Sequence, residues 1–373
     1  MEHRVNNTVT KQGKYIPGLD GIRALAIGLV LFSHSVIYDE FTQLHSVGVT
    51  AGSAGVVLFF VLSGYLITML LLREESRTGG ISLRLFYLRR AFRLLPALWL
   101  YLLVVGAIAV VGGLPHHPWH SFVSSLFYIR NLVGQGHETN HLWSLSIEAQ
   151  FYLFWSLVLV ALPKRNRTRL LIALVGLVSI TVWRVYAAQT GMATVGALYT
   201  RSDFRFDAPL FGCLLALIEQ VAPQTTRWLT SSGWRSALLG FIGVTGLIVW
   251  VGLDLGAAAY PGMDSTIVCL LSVVLILSQV GVQCRVSRVL AWSPLVIIGQ
   301  MSYGLYLWQQ LFLGSLVPGF DLIRVFPFGL LATIAATVVS YWCLERPLIQ
   351  LKDRKFHQVV RESKPQVTAP RRS

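Results

Sequence analysis

The chain has 373 residues, of which 54% are hydrophobic and 13% charged, and its mean hydropathy is +0.61. A soluble domain carries about 25% charged residues, so the composition excludes a soluble globular protein and points to an all-α, polytopic membrane protein. The formal net charge of +14 resides in short loops between apolar runs, where it sets topology, and no nucleic-acid partner is expected.

In chain order, residues 1–18 read as a polar cytoplasmic segment with no cleavable signal peptide. About ten transmembrane helices are then predicted within 19–347, over roughly 20–38, 52–73, 94–112, 142–162, 169–187, 206–221, 235–253, 266–282, 295–317 and 324–344. The segment 118–132 reads as a re-entrant or interfacial helix, and 348–373 as a basic, disordered cytoplasmic tail. Twenty-five of the 31 Lys and Arg residues fall in alternate loops, which by the positive-inside rule places both termini in the cytoplasm.

Arg23 and His34 lie within the first predicted span, LDGIRALAIGLVLFSHSVIY. Ionisable side chains inside a membrane are costly and mark function. Their separation of eleven residues leaves them within ~20° on one helix face and roughly 16 Å apart along it. The orientation puts Arg23 near the cytoplasmic end and His34 near the exterior. The segment LRLFYLRRAFRLLP, with Arg89, Arg90 and Arg93, enters the third span from the cytoplasm, and HLWSLSIEAQFY begins the fourth on the exterior side. On that count His34 and Glu148 fall at similar depth.

Six local patterns then coincide: PGLDGIRALAIGLVLFSH (Pro17 to His34), FFVLSGYLI (Phe59 to Ile67), LRRAFRLLP (Leu88 to Pro96), HLWSLSIEAQFYLF (His141 to Phe154), GQMSYGLYLW (Gly299 to Trp308) and LERP (Leu344 to Pro347). Together, over about 15–350, they resemble the acyltransferase-3 family of integral membrane O-acyltransferases. The resemblance implies transfer of an acyl group, often acetyl, from acyl-coenzyme A to a hydroxyl. Acceptors implied are sugars of surface polysaccharide, lipopolysaccharide or lipid-linked glycans, and some macrolides. It also implies that Arg23 and His34 are essential, in a multi-pass protein of the bacterial cytoplasmic membrane surrounded by membrane lipids.

The chemistry fits these residue types. An alcohol attacking a thioester needs a base, and a neutral imidazole such as His34 supplies one near neutral pH. A carboxylate orients such a ring, and Glu148 is the candidate. Coenzyme A phosphates suit guanidinium forks, so Arg23, Arg89, Arg90 and Arg93 are read as donor-binding, with pairing to an internal acid the alternative for Arg23. Ser302 and Tyr303 are placed to hydrogen-bond the donor. His141, Trp143, Ser144 and Tyr152 are read as lining the acceptor side, with Ser144 also able to cap its helix. Ser63 and Gly64 read as close-packing residues, though a narrow acyl channel would also use small residues there. The helix-nine motif departs from many relatives, because Gln309 stands where they carry histidine, so Gln309 is left out of the catalytic set.

Five histidines crowd residues 113–141, but HHPWH lacks helical i, i+4 spacing and a cysteine partner, and no metal is expected. Cys213, Cys269, Cys284 and Cys343 read as small apolar residues. The alternatives are the same chemistry on a small molecule such as a macrolide, and a transporter or flippase of lipid-linked sugars. Against the transporter, the sequence has no inverted repeat.

Overall fold

The structure is a computed structural model that describes residues 15–37, 44–111, 119–133, 136–256, 262–314, 326–348 and 350. The N-terminal segment to residue 14, the tail from residue 351, and His116 and His117 lie outside the described residues.

The described chain is helical. Its elements are α1 (Pro17–Ile37), α2 (His45–Thr78), α3 (Leu83–Val110), α4 (Trp119–Leu126), α5 (Leu142–Ala161), α6 (Asn166–Gln189), α7 (Val195–Thr200), α8 (Ser202–Arg205), α9 (Asp207–Val221), α10 (Pro223–Thr230), α11 (Gly233–Gly252), α12 (Asp264–Val280), α13 (Arg285–Leu290), α14 (Ser293–Gln300), α15 (Ser302–Leu313) and α16 (Phe328–Ser340). A π-helical turn, Tyr341–Glu345, continues α16.

Seven of these helices are long and apolar enough to cross a membrane, or eight if the segment Ser202–Val221 and α10, bent by 103°, form one span. Two further predicted spans take other forms. The 266–282 segment is the shorter apolar α12, and 295–317 is broken at Met301 into α14 and α15. The 118–132 segment is the short helix α4, which turns Ser121, Ser124 and Ser125 inward and leaves Trp119, Val123 and Leu126 exposed. The basic stretch from Leu83 is the first half of α3, which runs through Pro96.

Small residues set the packing. A Cβ on Gly64 of α2 would lie 1.9 Å from the Pro209 carbonyl oxygen of α9, and one on Gly212 of α9 would lie 1.9 Å from the Val61 carbonyl oxygen. The two backbones therefore touch, as small residues at membrane helix interfaces allow. A Cβ on Gly299 would likewise fall 1.9 Å from the Asp20 carbonyl oxygen, which seats α14 against α1. The main apolar core joins residues of α1, α2, α3, α5, α12 and α15, and a second core lies among α2, α5, α6 and α9.

Two buried arginines are neutralised locally. Arg184 of α6 pairs with Asp207 of α9 and also donates to Gly262 O (2.8 Å), Phe204 O (3.1 Å) and Thr266 Oγ1 (2.8 Å). Arg169 makes a two-pronged bond to Glu75 at 2.6 and 2.9 Å, tying α6 to α2. Cys213, Cys269 and Cys284 are buried free thiols, and Cys343 is exposed.

Because the obstructing atoms at Gly64 and Gly212 are backbone, neither helix can yield to a side chain there. Gly64→Ala and Gly212→Ala are expected to lower the thermal midpoint of the detergent-solubilised protein sharply and to shift it toward aggregate in size-exclusion chromatography. Wild-type melting of either variant would show that α2 and α9 do not meet at this point.

Candidate active site

The site begins in the first turn of α1. Asp20 is fully buried, and its carboxylate accepts a hydrogen bond from Arg23 Nη1 at 2.5 Å and one from the Tyr15 hydroxyl at 2.7 Å. Gln300 Nε2 donates to the same phenol at 3.2 Å. Burial and the adjacent carboxylate push the Tyr15 phenol above its ordinary range. This network fixes where the Arg23 guanidinium points.

It points into a cavity of about 80 Å³ lined by Arg23 from α1, Ser63 from α2, Arg90 and Arg93 from α3, Glu148 and Tyr152 from α5, and Ser302 and Tyr303 from α15. Three guanidinium groups thus face one space. Glu148 accepts hydrogen bonds from the hydroxyls of Ser63 and Tyr152. Arg90 lies over the Tyr152 ring, 4.6 Å from its centroid. Tyr303 donates to the Leu94 carbonyl oxygen at 2.8 Å, tying α15 to α3.

A second cavity, about 380 Å³, is lined by His34 and Ser33 of α1, Asn140, His141 and Trp143 at the start of α5, Tyr199 of α7, Asp264 of α12 and Gln310 of α15, among others. His141 is buried between two phenol rings, with centroids at 5.4 Å (Tyr101) and 5.5 Å (Tyr306). Trp143 packs on Tyr199 at 4.7 Å and edge-on to Phe60 at 6.3 Å. The two cavities share two lining residues, Val56 and Tyr306.

The structure therefore gathers most of the residues expected from sequence, but in two groups. Arg23, Arg90, Arg93, Ser302 and Tyr303 line the first cavity together with Glu148, Tyr152 and Ser144; His34, His141 and Trp143 line the second. Neither of these two cavities is lined by both Glu148 and His34. Glu148 lies six residues inside α5, about 9 Å along it, whereas His34 is three residues, about 4.5 Å, from the end of α1. Glu148 sits with the arginines. Arg89 stands apart, with its guanidinium 3.6 Å from Glu74. Ser144 does not cap α5. His141 holds the cap position without a side-chain bond, and the Ser144 hydroxyl meets the Tyr306 hydroxyl at 2.5 Å.

A family model described as an acyltransferase domain matches residues 16–345, which include every residue of both cavities. The chain belongs to the acyltransferase-3 family. The O-acetyltransferase OatA of Staphylococcus aureus strain NCTC 8325 / PS 47 is 32% identical over 361 residues, covering 90% of this chain and 57% of the relative. OatA of strain COL matches to the same extent, and a further protein of strain COL is 30% identical over 369 residues, covering 91% of this chain and 58% of its own length. The chain thus spans less than three fifths of the curated relatives it matches. No solved structure matches it.

For a member of the acyltransferase-3 family, several side chains in these cavities were not singled out from sequence. Tyr306 lies inside the GQMSYGLYLW pattern, one helical turn beyond Tyr303, so its facing was readable there. Asp264, an acid at the first turn of an apolar helix, gave a weaker signal. Tyr199 gave none, because it falls in a stretch between spans, and neither did Arg205, which lines neither cavity but packs against Tyr199. In the fold, the buried Arg205 guanidinium lies 5.3 Å from the Tyr199 ring centroid and 6.0 Å from that of Phe60. Ser63, read as a packing residue, lines the first cavity and bonds Glu148. Gln309 is fully buried. Among the described residues, no group of three or more His, Cys, Asp or Glu is placed to hold a metal ion.

Removing the charge of Asp20 leaves Arg23 without its buried counter-ion. Loss of one partner of a buried pair costs about 3–5 kcal/mol, and the partial exposure of Arg23 (15%) puts this one at the low end. Asp20→Asn is expected to lower the thermal midpoint measurably while Asp20→Glu retains most of it. Equal melting of Asp20→Asn and the wild type would remove the ion pair from the structural account.

Proposed function

We propose that the protein is a membrane O-acyltransferase that moves an acyl group, in the simplest case acetyl, from acyl-coenzyme A to the hydroxyl of a sugar in a surface polysaccharide, lipopolysaccharide or lipid-linked glycan. The observation that carries this reading is the pairing of an arginine-lined cavity with a histidine-lined one across a shared wall. The name O-acetyltransferase carried by relatives at 32% identity supports the acetyl group.

In this reading Arg23, Arg90 and Arg93 attract the donor's phosphates through charge-assisted hydrogen bonds. The thioester arm extends from these arginines into the cavity that they line. Glu148 holds the hydroxyls of Ser63 and Tyr152 beside that arm, and Ser302 and Tyr303 complete its polar lining. In the larger cavity the sugar lies against Trp143, with His141 and Asn140 as polar neighbours. His34 takes the proton of the acceptor hydroxyl as the oxygen attacks the thioester carbonyl carbon. The carbon–sulfur bond then breaks, and the thiolate leaves with the proton held by the imidazolium. General-base help of this kind contributes about 10²–10⁴-fold.

In this reading the arginine side and both termini face the bacterial cytoplasm, where acyl-coenzyme A is made, and the histidine side faces the exterior, an orientation that the basic loops support.

His34→Ala is expected to insert and melt as the wild type does and to lose acyl transfer by at least about 10²-fold. The readout is coenzyme A release that depends on added host glycan. Full turnover in that variant would remove the histidine from the mechanism, and sugar flux without thioester consumption by the wild type would identify a transporter. Arg23→Ala is expected to raise the Michaelis constant for acetyl-coenzyme A about tenfold or more, the loss of one charge-assisted hydrogen bond of roughly 1.5–3 kcal/mol. An unchanged constant would exclude contact with the donor.

A further inference from the structure

The wall between the two cavities contains a hydroxyl group that no step above uses. Tyr306, on α15, lines both cavities, and so does Val56, which has no polar side-chain atom. The phenol is buried, and two contacts fix its hydroxyl: it donates to the His141 carbonyl oxygen at 2.8 Å and meets Ser144 Oγ at 2.5 Å. Ser144 in turn lies 3.3 Å from the same carbonyl oxygen. The Tyr306 ring packs against His141 of the histidine cavity, while Ser144 belongs to the lining of the arginine cavity.

We propose that Tyr306 is a further catalytic residue, whose phenolic hydroxyl donates a hydrogen bond to the oxyanion that forms on the thioester carbonyl when the acceptor attacks. The inference rests on the acyltransferase reading above. A carbonyl carbon that receives an alcohol from one chamber and a thioester from the other must sit where the chambers meet, and Tyr306 is the residue with a donor at that place. In the resting protein its proton rests on a neutral carbonyl. A developing oxyanion is the stronger acceptor, because hydrogen bonds to charged oxygen are about twice as strong as neutral ones. Ser144 holds the phenol in place from behind, so little reorganisation accompanies the switch. Such preorganised donation is the usual form of oxyanion stabilisation, and loss of one donor lowers turnover by about 10²–10³-fold. The atoms balance as in the reaction already given. The oxyanion forms as the carbon–oxygen bond is made and collapses as the carbon–sulfur bond breaks, and the phenol returns unchanged.

The test uses the full chain reconstituted with radiolabelled acetyl-coenzyme A and membranes of a host strain lacking the gene, scored by label in the glycan fraction. Wild-type protein must transfer label first; if it does not, the acyltransferase reading fails, not the role of Tyr306. With transfer established, Tyr306→Phe keeps the ring and the wall but lacks the donor. It is expected to lose about 10²–10³-fold in kcat with the Michaelis constant for acetyl-coenzyme A within twofold of wild type. Wild-type kcat in Tyr306→Phe, or a loss confined to the Michaelis constant, overturns the proposal, because a merely structural hydroxyl would not act on kcat alone. If Tyr306→Phe fails to melt cooperatively, Ser144→Ala decides. It removes only the support of the phenol, and a drop in kcat of about tenfold at unchanged donor constant is expected, whereas unchanged kcat overturns the proposal.

Discussion

The Arg23–Asp20 ion pair governs the arrangement of the rest. A guanidinium among apolar helices is tolerated only where a counter-charge and hydrogen bonds meet it inside the protein. Asp20 provides both, three residues earlier on the same helix, and Tyr15 and Gln300 extend the network to α14. The absence of a side chain at Gly299 lets α14 approach the Asp20 carbonyl closely enough for this to happen. One polar knot therefore sets the position of α1 against α14 and aims Arg23 into the first cavity.

From that starting point the two-chambered site follows from helix geometry. Arg23 and His34 share a face of α1 but are separated by about three turns, so a single helix supplies the cation of one chamber and the imidazole of the other. Helix α5 does the same, with His141 and Trp143 at its beginning and Glu148 and Tyr152 about one and a half to three turns further in. Helix α15 contributes Ser302 and Tyr303 to one chamber, Gln310 to the other and Tyr306 to both. Three helices that each pass both chambers give the site its polarity, cationic at one level and aromatic with imidazoles at the other.

The contacts between helices are correspondingly of two kinds. Where backbones must meet, as at Gly64 with Pro209 and Gly212 with Val61, the residues are small. Where charge is enclosed, as at Arg184 with Asp207 and Arg169 with Glu75, the guanidinium also donates to carbonyl or hydroxyl oxygens. Neither contact demands water, which suits a bundle whose outer faces carry exposed Leu, Val, Ile and Trp.

The sequence by itself determined the helical membrane class, most of the spans, the family, and the residues that mark its chemistry. Apolar run length and charged residues within such runs are local properties, readable without a fold. Arg23 and His34 were legible for that reason, and so was the role of Gly64. Whether an apolar run continues as one helix was not legible, because breaks such as that at Met301 depend on what packs alongside. Nor was the separation of Glu148 from His34, since depth depends on where each helix begins and on the neighbours it meets. Only the tertiary structure decided that Ser144 faces Tyr306 instead of capping its helix, that Arg205 turns inward from a stretch between spans, and that Tyr306 and Val56 line both chambers. These outcomes come from side chains far apart in sequence sharing one space, and no local pattern carries that information.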